Sequence, residues 1–210
     1  MPPQPYRRPP ELSSFEPEVQ EASIRRLLNL VADGAPAVAA HMERTARLAR
    51  ALVRDLDLAE PLARIVVLTA RLHDVGKLGI PPWVLEKPAP LSEFESRLMR
   101  EHSLIGQDML ERRMELLAVG PLVRATHERW DGTGYPDGLR GPSIPLPSRI
   151  VAVCDAFDAM TKPRVYSDSR PIQGALDELD RCAGTQFDPG IVTAFRALLE
   201  SRVDRLARGA

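Results

Sequence analysis

The sequence predicts an all-α fold, a bundle of helices closed over one interior. Three observations carry that prediction. Apolar residues recur at three- and four-residue spacings in segment after segment, and no segment alternates apolar with polar at period two. The breaks between segments carry helix punctuation, with Asp or Ser before a helix and Gly or Pro after one. At 210 residues the chain can bury a full core. We expect a proline-rich disordered leader over residues 1–17 and one domain over 18–210.

A first helix is expected from about Glu18 to Asp33, where Ile24, Leu27, Leu28 and Val31 share a face and Asp33-Gly34 ends the run. A second spans about Pro36 to Leu56. Its inward stripe includes Val38, His41, Met42, Thr45, Leu48 and Leu52, while Glu43, Arg44, Arg47, Arg50 and Arg54 face water. Asp57 and Glu60 fit the cap and third position of the next helix, on which Leu62, Ile65, Val66, Thr69 and His73 align. Ile80-Pro81-Pro82 starts a loop that runs to Pro90. Ser92 and Glu95 form a capping box for a helix placing Phe94, Leu98, His102 and Ile105 on one side. A further helix over Pro121–Trp130 would carry His127.

Between Asp131 and Pro142 four glycines and two prolines exclude helix and interior strand, yet an embedded Tyr135 and the flanking Trp130 suit an ordered loop. Ser148 to Met160 resumes an apolar helix interrupted by Asp155 and Asp158. A helix over Pro171–Ala183 stops at Gly184, and Asp188-Pro189 begins the last one.

Charge is balanced at 28 basic against 29 acidic residues, so no global field recruits a nucleic-acid polymer or an anionic membrane. Any anionic substrate must be held locally. No apolar run approaches a membrane span and no signal peptide is evident, which reads as cytoplasmic. Cys154 and Cys182 sit in apolar helical patterns and read as buried free thiols.

The chemistry is concentrated in His73-Asp74-Val75-Gly76-Lys77, where a helix reaches its glycine stop. A lone His-Asp pair is common. The rest of the chain makes this one informative: it has four histidines, His41, His73, His102 and His127, and every one falls where it would point inward. Asp155 is also set among apolar residues, and burying a carboxylate costs several kcal/mol unless it is paired or binds metal. Four inward imidazoles with Asp74 and Asp155 make a poor dry core and a good metal cage for Fe, Mn or Zn. No cysteine joins the set, which argues against a structural thiolate zinc site.

With His127-Glu128-Arg129-Trp130-Asp131-Gly132-Thr133-Gly134-Tyr135-Pro136 following, the pattern resembles the HD-GYP family, a branch of the HD superfamily of metal-dependent phosphohydrolases. Ile144-Pro145-Leu146-Pro147-Ser148-Arg149-Ile150, Arg164-Val165-Tyr166 and Gly184-Thr185-Gln186-Phe187-Asp188-Pro189 extend the likeness over about residues 36–196. The resemblance implies an HD-type helical bundle with a Gly/Pro-rich GYP loop. It also implies hydrolysis of the bacterial second messenger cyclic di-GMP, to pGpG or on to GMP. By similarity, His41, His73, Asp74 and Asp155 would hold one divalent ion, and Asp74 would bridge to a second held by His102 and His127. Fe or Mn is expected. Asp74 and Lys77 would be catalytic, Lys77 and Arg164 would bind phosphate, and Tyr135 and Asp158 would contact ribose or guanine. In relatives the GYP loop is linked to protein partners, so a diguanylate cyclase or another signalling protein is an expected partner.

The sequence departs from the family pattern at two positions. Thr126 stands where a further histidine is usual, which weakens the second metal site. Ala37 stands where three-metal members carry glutamate, so a three-metal centre is not expected. Two other readings stay open: a degenerate domain acting as a cyclic-dinucleotide sensor or interaction module, and an HD phosphohydrolase acting on another nucleotide.

Overall fold

The computed structural model describes residues 17–162 and 170–208. The leader up to residue 16 and the segment holding Arg164 lie outside the described residues. Within them are ten α-helices and no strand: α1 (Pro17–Gly34), α2 (Pro36–Asp55), α3 (Glu60–Leu72), α4 (Pro82–Leu85), α5 (Glu93–Arg100), α6 (His102–Glu111), α7 (Gly120–Arg124), α8 (Leu146–Thr161), α9 (Ile172–Arg181) and α10 (Pro189–Arg208). None is long and apolar enough to cross a membrane.

The helix starts follow local chemistry. Ser92 caps α5 in a full capping box: its hydroxyl accepts from the Glu95 N–H, and its own N–H donates to the Glu95 carboxylate at 2.6 Å. Asp188 caps α10, accepting from the Gly190 N–H at 2.8 Å.

Five expectations need correction. The loop expected from Ile80 to Pro90 contains one helical turn, α4, with Pro82 in its first position, where a missing N–H costs nothing. Asp57 does not cap α3. It sits in the left-handed region (φ 48°) closing α2, and α3 opens two residues later from Ala59 with no side-chain cap. The helix expected to run on from Ser92 through Ile105 is two, broken at Glu101, and Phe94 is 57% exposed rather than inward. The helix expected over Pro121–Trp130 ends early. After α7 comes a single 3₁₀ turn, Ala125–His127, and Glu128 is already extended. There Thr126 donates its hydroxyl to the Val123 carbonyl, and the Glu128 carboxylate takes backbone N–H groups from the loop ahead, so local side-chain bonds compete with continued helix. Cys154 is buried and free as expected, whereas Cys182 is free but only half-buried.

Two apolar clusters form the interior. One joins α2, α3, α8, α9 and α10 through Leu52, Val66, Ile150, Val153, Leu179 and Phe195. The other joins α1, α2, α3, α6 and α7 through Leu27, Met42, Leu72, Val75, Leu110 and Val123. Helices α2 and α3 contribute to both, and the end they share packs into the second through Met42 and Leu72. That is where His41 and His73 lie.

The segment after α3 is a 3₁₀ turn, Val75–Gly79, pressed against α6. A Cβ on Gly76 would stand 2.0 Å from the His102 carbonyl oxygen and 2.5 Å from the Gly106 nitrogen. This is backbone against backbone, with no flexible atom to give way, and it brings the Asp74 segment up to the start of α6. Gly76→Ala is therefore expected to lower stability by about 2 kcal/mol, read as a shifted midpoint in urea unfolding. An unchanged midpoint would mean that the close approach is not required.

Candidate metal centre

His41 comes from the second turn of α2, His73 caps the C-terminus of α3, and Asp74 follows it. His102 opens α6, His127 ends the 3₁₀ turn after α7, and Asp155 projects from α8. The structure brings all six together as two sets of three. His41, His73 and Asp155 place donor atoms within 4.8 Å of one another, and so do Asp74, His102 and His127.

The Asp74 carboxylate stands between the sets. Its Oδ2 lies 3.5 Å from His73 Nε2 and 3.9 Å from His41 Nε2, while its Oδ1 lies 3.4 Å from His102 Nε2. His102 and His127 bring their Nε2 atoms to 2.9 Å of each other. His41 Nε2 reaches Asp155 Oδ1 at 2.8 Å.

The rings are aimed from behind. His73 Nδ1 bonds the Ala70 carbonyl at 2.9 Å, and His102 Nδ1 bonds the Met99 carbonyl at 2.7 Å. Such an anchor leaves the Nε2 lone pair directed into the cluster, the tautomer a metal ligand needs. His41 Nδ1 is held at 2.7 Å by Asp158 Oδ2. Asp158 in turn accepts from the Arg44 guanidinium on both oxygens, at 2.8 and 2.9 Å. Asp158 is 3% exposed with both oxygens engaged, so its place is behind His41.

Charge within the cluster is compressed. Burial resists ionisation of Asp74, yet Lys77, whose Nζ lies 2.5 Å from Oδ2, together with the imidazoles holds its carboxyl well below the usual range. Burial likewise opposes the charged form of His41, but its bonds to Asp155 and Asp158 win and raise its pKa to about 9. Burial, with the His102 neighbour, pushes His127 down to about 3, and burial chiefly lowers His102.

The fit to divalent ions can be judged from the atoms themselves. His73 Nε2 and Asp74 Oδ1 are fully buried and have no hydrogen-bond partner. Orphaned acceptors of this kind are costly in a protein interior unless something electropositive satisfies them. They sit in different sets, one in each. Nitrogen and oxygen donors without thiolate suit Fe, Mn or Zn.

Two cavities flank the cluster. One of about 410 Å³ is lined by His41, Asp74, Lys77, Met99 and Lys162. The other, about 300 Å³, is lined by Arg100, His127, Arg129, Tyr135, Asp155 and Gln186. Of the residues expected at a substrate, Lys77 and Asp158 line the larger cavity, Tyr135 lines the smaller, and Arg164 lies outside the described residues.

Sequence reading missed three residues. Arg44 was assigned to water, but it lies one turn beyond His41 on a neighbouring face and reaches Asp158. Glu128 is 4% exposed and accepts from the Asp137 and Leu139 N–H groups at 2.7 and 3.0 Å, fastening the glycine-rich loop. Arg100 sits over the Tyr135 ring, 5.4 Å from its centre. An acidic residue directly after an inward histidine was the available signal for Glu128. For Arg100 there was none.

The family described as HD domain matches residues 25–207. The cyclic di-GMP phosphodiesterase response regulator RpfG of Xanthomonas campestris is 39% identical over 87% of this chain and 50% of its own length. A cyclic di-GMP phosphodiesterase of Thermotoga maritima is 37% identical over 78% of this chain and 45% of its own. The chain thus spans about half the length of the curated relatives it matches. Among solved structures, the cyclic GMP-AMP specific phosphodiesterase V-cGAP3 of Vibrio cholerae superposes with a TM-score of 0.63 at 24% identity, over 86% of this chain and 48% of that one.

Removing the charge behind His41 should loosen the first set without touching a donor. Asp158→Asn is expected to weaken binding of the first divalent ion about 10–100-fold, measured by calorimetric titration with Mn(II). Unchanged affinity would show that Arg44 and Asp158 only fasten α2 to α8.

Proposed function

We propose, for a chain that belongs to the HD-GYP family of HD-domain proteins, the metal-dependent hydrolysis of a phosphodiester bond in a cyclic dinucleotide, with cyclic di-GMP as the expected substrate. One observation carries the reading: two donor triads share one buried carboxylate, and each contains a buried polar atom with no other partner.

In this reading His41, His73 and Asp155 hold one ion, His102 and His127 hold the other, and Asp74 serves both. Fe or Mn is the expected metal. Bound there, such ions would lower the pKa of water and neutralise charge on phosphoryl oxygens. The chain's own part is positional. The backbone carbonyls behind His73 and His102 keep their protons off the side facing substrate. Lys77, at the edge of the larger cavity, offers an ammonium to a phosphate oxygen, and Arg164 is expected to offer a bidentate guanidinium. Cavities lined by members of both triads suit a cyclic substrate of two nucleotides, one of whose two phosphodiesters would meet the cluster. Water adds to phosphorus, the P–O3′ bond breaks, and O3′ leaves as a hydroxyl once it takes a proton. The product is pGpG, or GMP after a second round.

A sensor or interaction module is the alternative, favoured by Thr126. Its hydroxyl donates to the Val123 carbonyl, and a neutral hydroxyl oxygen is a much poorer ligand than the imidazole usual at position 126. A signalling partner such as a diguanylate cyclase would meet the exposed Thr133, Asp137, Gly138 and Arg140 of the loop, because Tyr135 is half-buried against His127.

Metal analysis followed by incubation with cyclic di-GMP and Mn(II) or Fe(II) tests the enzyme reading. Turnover is expected. Two ions bound and nucleotide retained without turnover would favour the sensor. A variant carrying both His73→Ala and Asp74→Ala is expected to lose turnover while its far-ultraviolet circular dichroism stays near that of the parent; undiminished hydrolysis by that variant would refute the assignment.

A further inference from the structure

We infer that Tyr135 is a positioning residue for the second metal site, holding the His127 ring by stacking where the other three rings are held by hydrogen bonds. The inference rests on the two-metal reading above and concerns how one of its ligands is oriented.

The four imidazoles differ in what stands behind them. His73 and His102 have backbone carbonyls at Nδ1, and His41 has the Asp158 carboxylate. Among the described residues His127 has a hydrogen-bond partner only at Nε2, the atom that faces His102. An imidazole held at one nitrogen can turn about its Cβ–Cγ bond, and a turned ring loses its lone-pair direction. What His127 has instead is a flat neighbour. The Tyr135 ring lies 5.2 Å from it, centre to centre, with only 13° between the planes. Stacking at that distance resists rotation of either ring.

Tyr135 is itself fixed by its surroundings. Gly134 passes so close to the preceding backbone that a Cβ there would stand 2.3 Å from the Arg129 nitrogen and 2.6 Å from the Glu128 Cα. The Tyr135 N–H donates to the His127 carbonyl at 3.3 Å. Further along, the buried Glu128 carboxylate holds the Asp137 and Leu139 N–H groups. The Arg100 guanidinium over the phenol adds a cation–π contact. A loop so fastened delivers one aromatic face to one ligand. With threonine at position 126, the second triad has no spare imidazole to absorb a misplaced His127.

The test is Mn(II) binding by the purified, metal-stripped protein, followed by equilibrium dialysis and by the electron paramagnetic resonance signal of coupled Mn(II) pairs. Tyr135→Leu keeps apolar bulk without a flat ring, and Tyr135→Phe keeps the ring without the hydroxyl. Tyr135→Leu is expected to weaken the second equivalent about tenfold and to diminish the coupled signal, with the first equivalent unchanged. Tyr135→Phe is expected to bind as the parent does. Parent-like binding of both equivalents by Tyr135→Leu would overturn the inference, and so would a phenylalanine variant as weak as the leucine one. His127→Ala separates the two levels: if it leaves both equivalents in place, the two-metal assignment fails and the positioning role fails with it.

Discussion

A single carboxylate, 1% exposed, sets the terms for this structure. Isolated in an apolar interior, an ionised Asp74 would cost several kcal/mol. It is tolerated because Lys77 and three imidazoles surround it, Lys77 and His73 from its own segment and His102 and His127 from farther along the chain. The fold can be understood as the means of gathering them. The end that α2 and α3 share puts His41 and His73 on one side, α8 adds Asp155, and α6 with the turn after α7 adds His102 and His127. The apolar clusters on either side make these placements rigid. Gly76 makes the last one possible, since any side chain there would push the Asp74 segment away from the start of α6.

Behind the donors runs a second layer with little variety. Two rings lean on carbonyls three residues back, a geometry available wherever a helix end or a sharp turn leaves a carbonyl free. His41 leans on a carboxylate braced by arginine, and its bonds to Asp155 and Asp158 together raise its pKa. A divalent ion bound at the first triad must displace the His41 proton, so its binding there would release acid and weaken as pH falls. The imidazoles of the second triad, held neutral by burial, carry no such proton at neutral pH.

How much of this was legible in the sequence depended on the kind of interaction. Helical period exposed the inward face of α2, and so His41, because burial there follows directly from spacing. The Ser92 and Asp188 caps were legible because capping is a local act of three or four residues. What failed was local chemistry in competition with itself. Asp57 had the composition of a cap but took a left-handed turn, and Thr126 with Glu128 ended a helix that apolar spacing would have continued. The roles of Arg44 and Glu128 were hidden for another reason: their partners, Asp158 and the Asp137 and Leu139 amides, are long-range or belong to a loop whose path no period describes.

The two triads are therefore unequal. The first has Asp155 as its own carboxylate, Asp158 one bond behind His41, and a part share in Asp74. The second has only Asp74 for negative charge, through the oxygen that faces His102, while Lys77 lies against the oxygen that faces the first triad. A cation approaching the second triad meets fewer carboxylates. It also finds a neutral threonine at 126 in place of an imidazole. Electrostatics and donor count point the same way, so the first triad should fill before the second. Occupancy of the second then depends on how well its two imidazoles are aimed. One of those is aimed by the backbone of α5, and the other by the glycine-rich loop. A surface segment thereby gains a direct hold on the weaker half of the centre, through ring contact and without any change in the bundle itself.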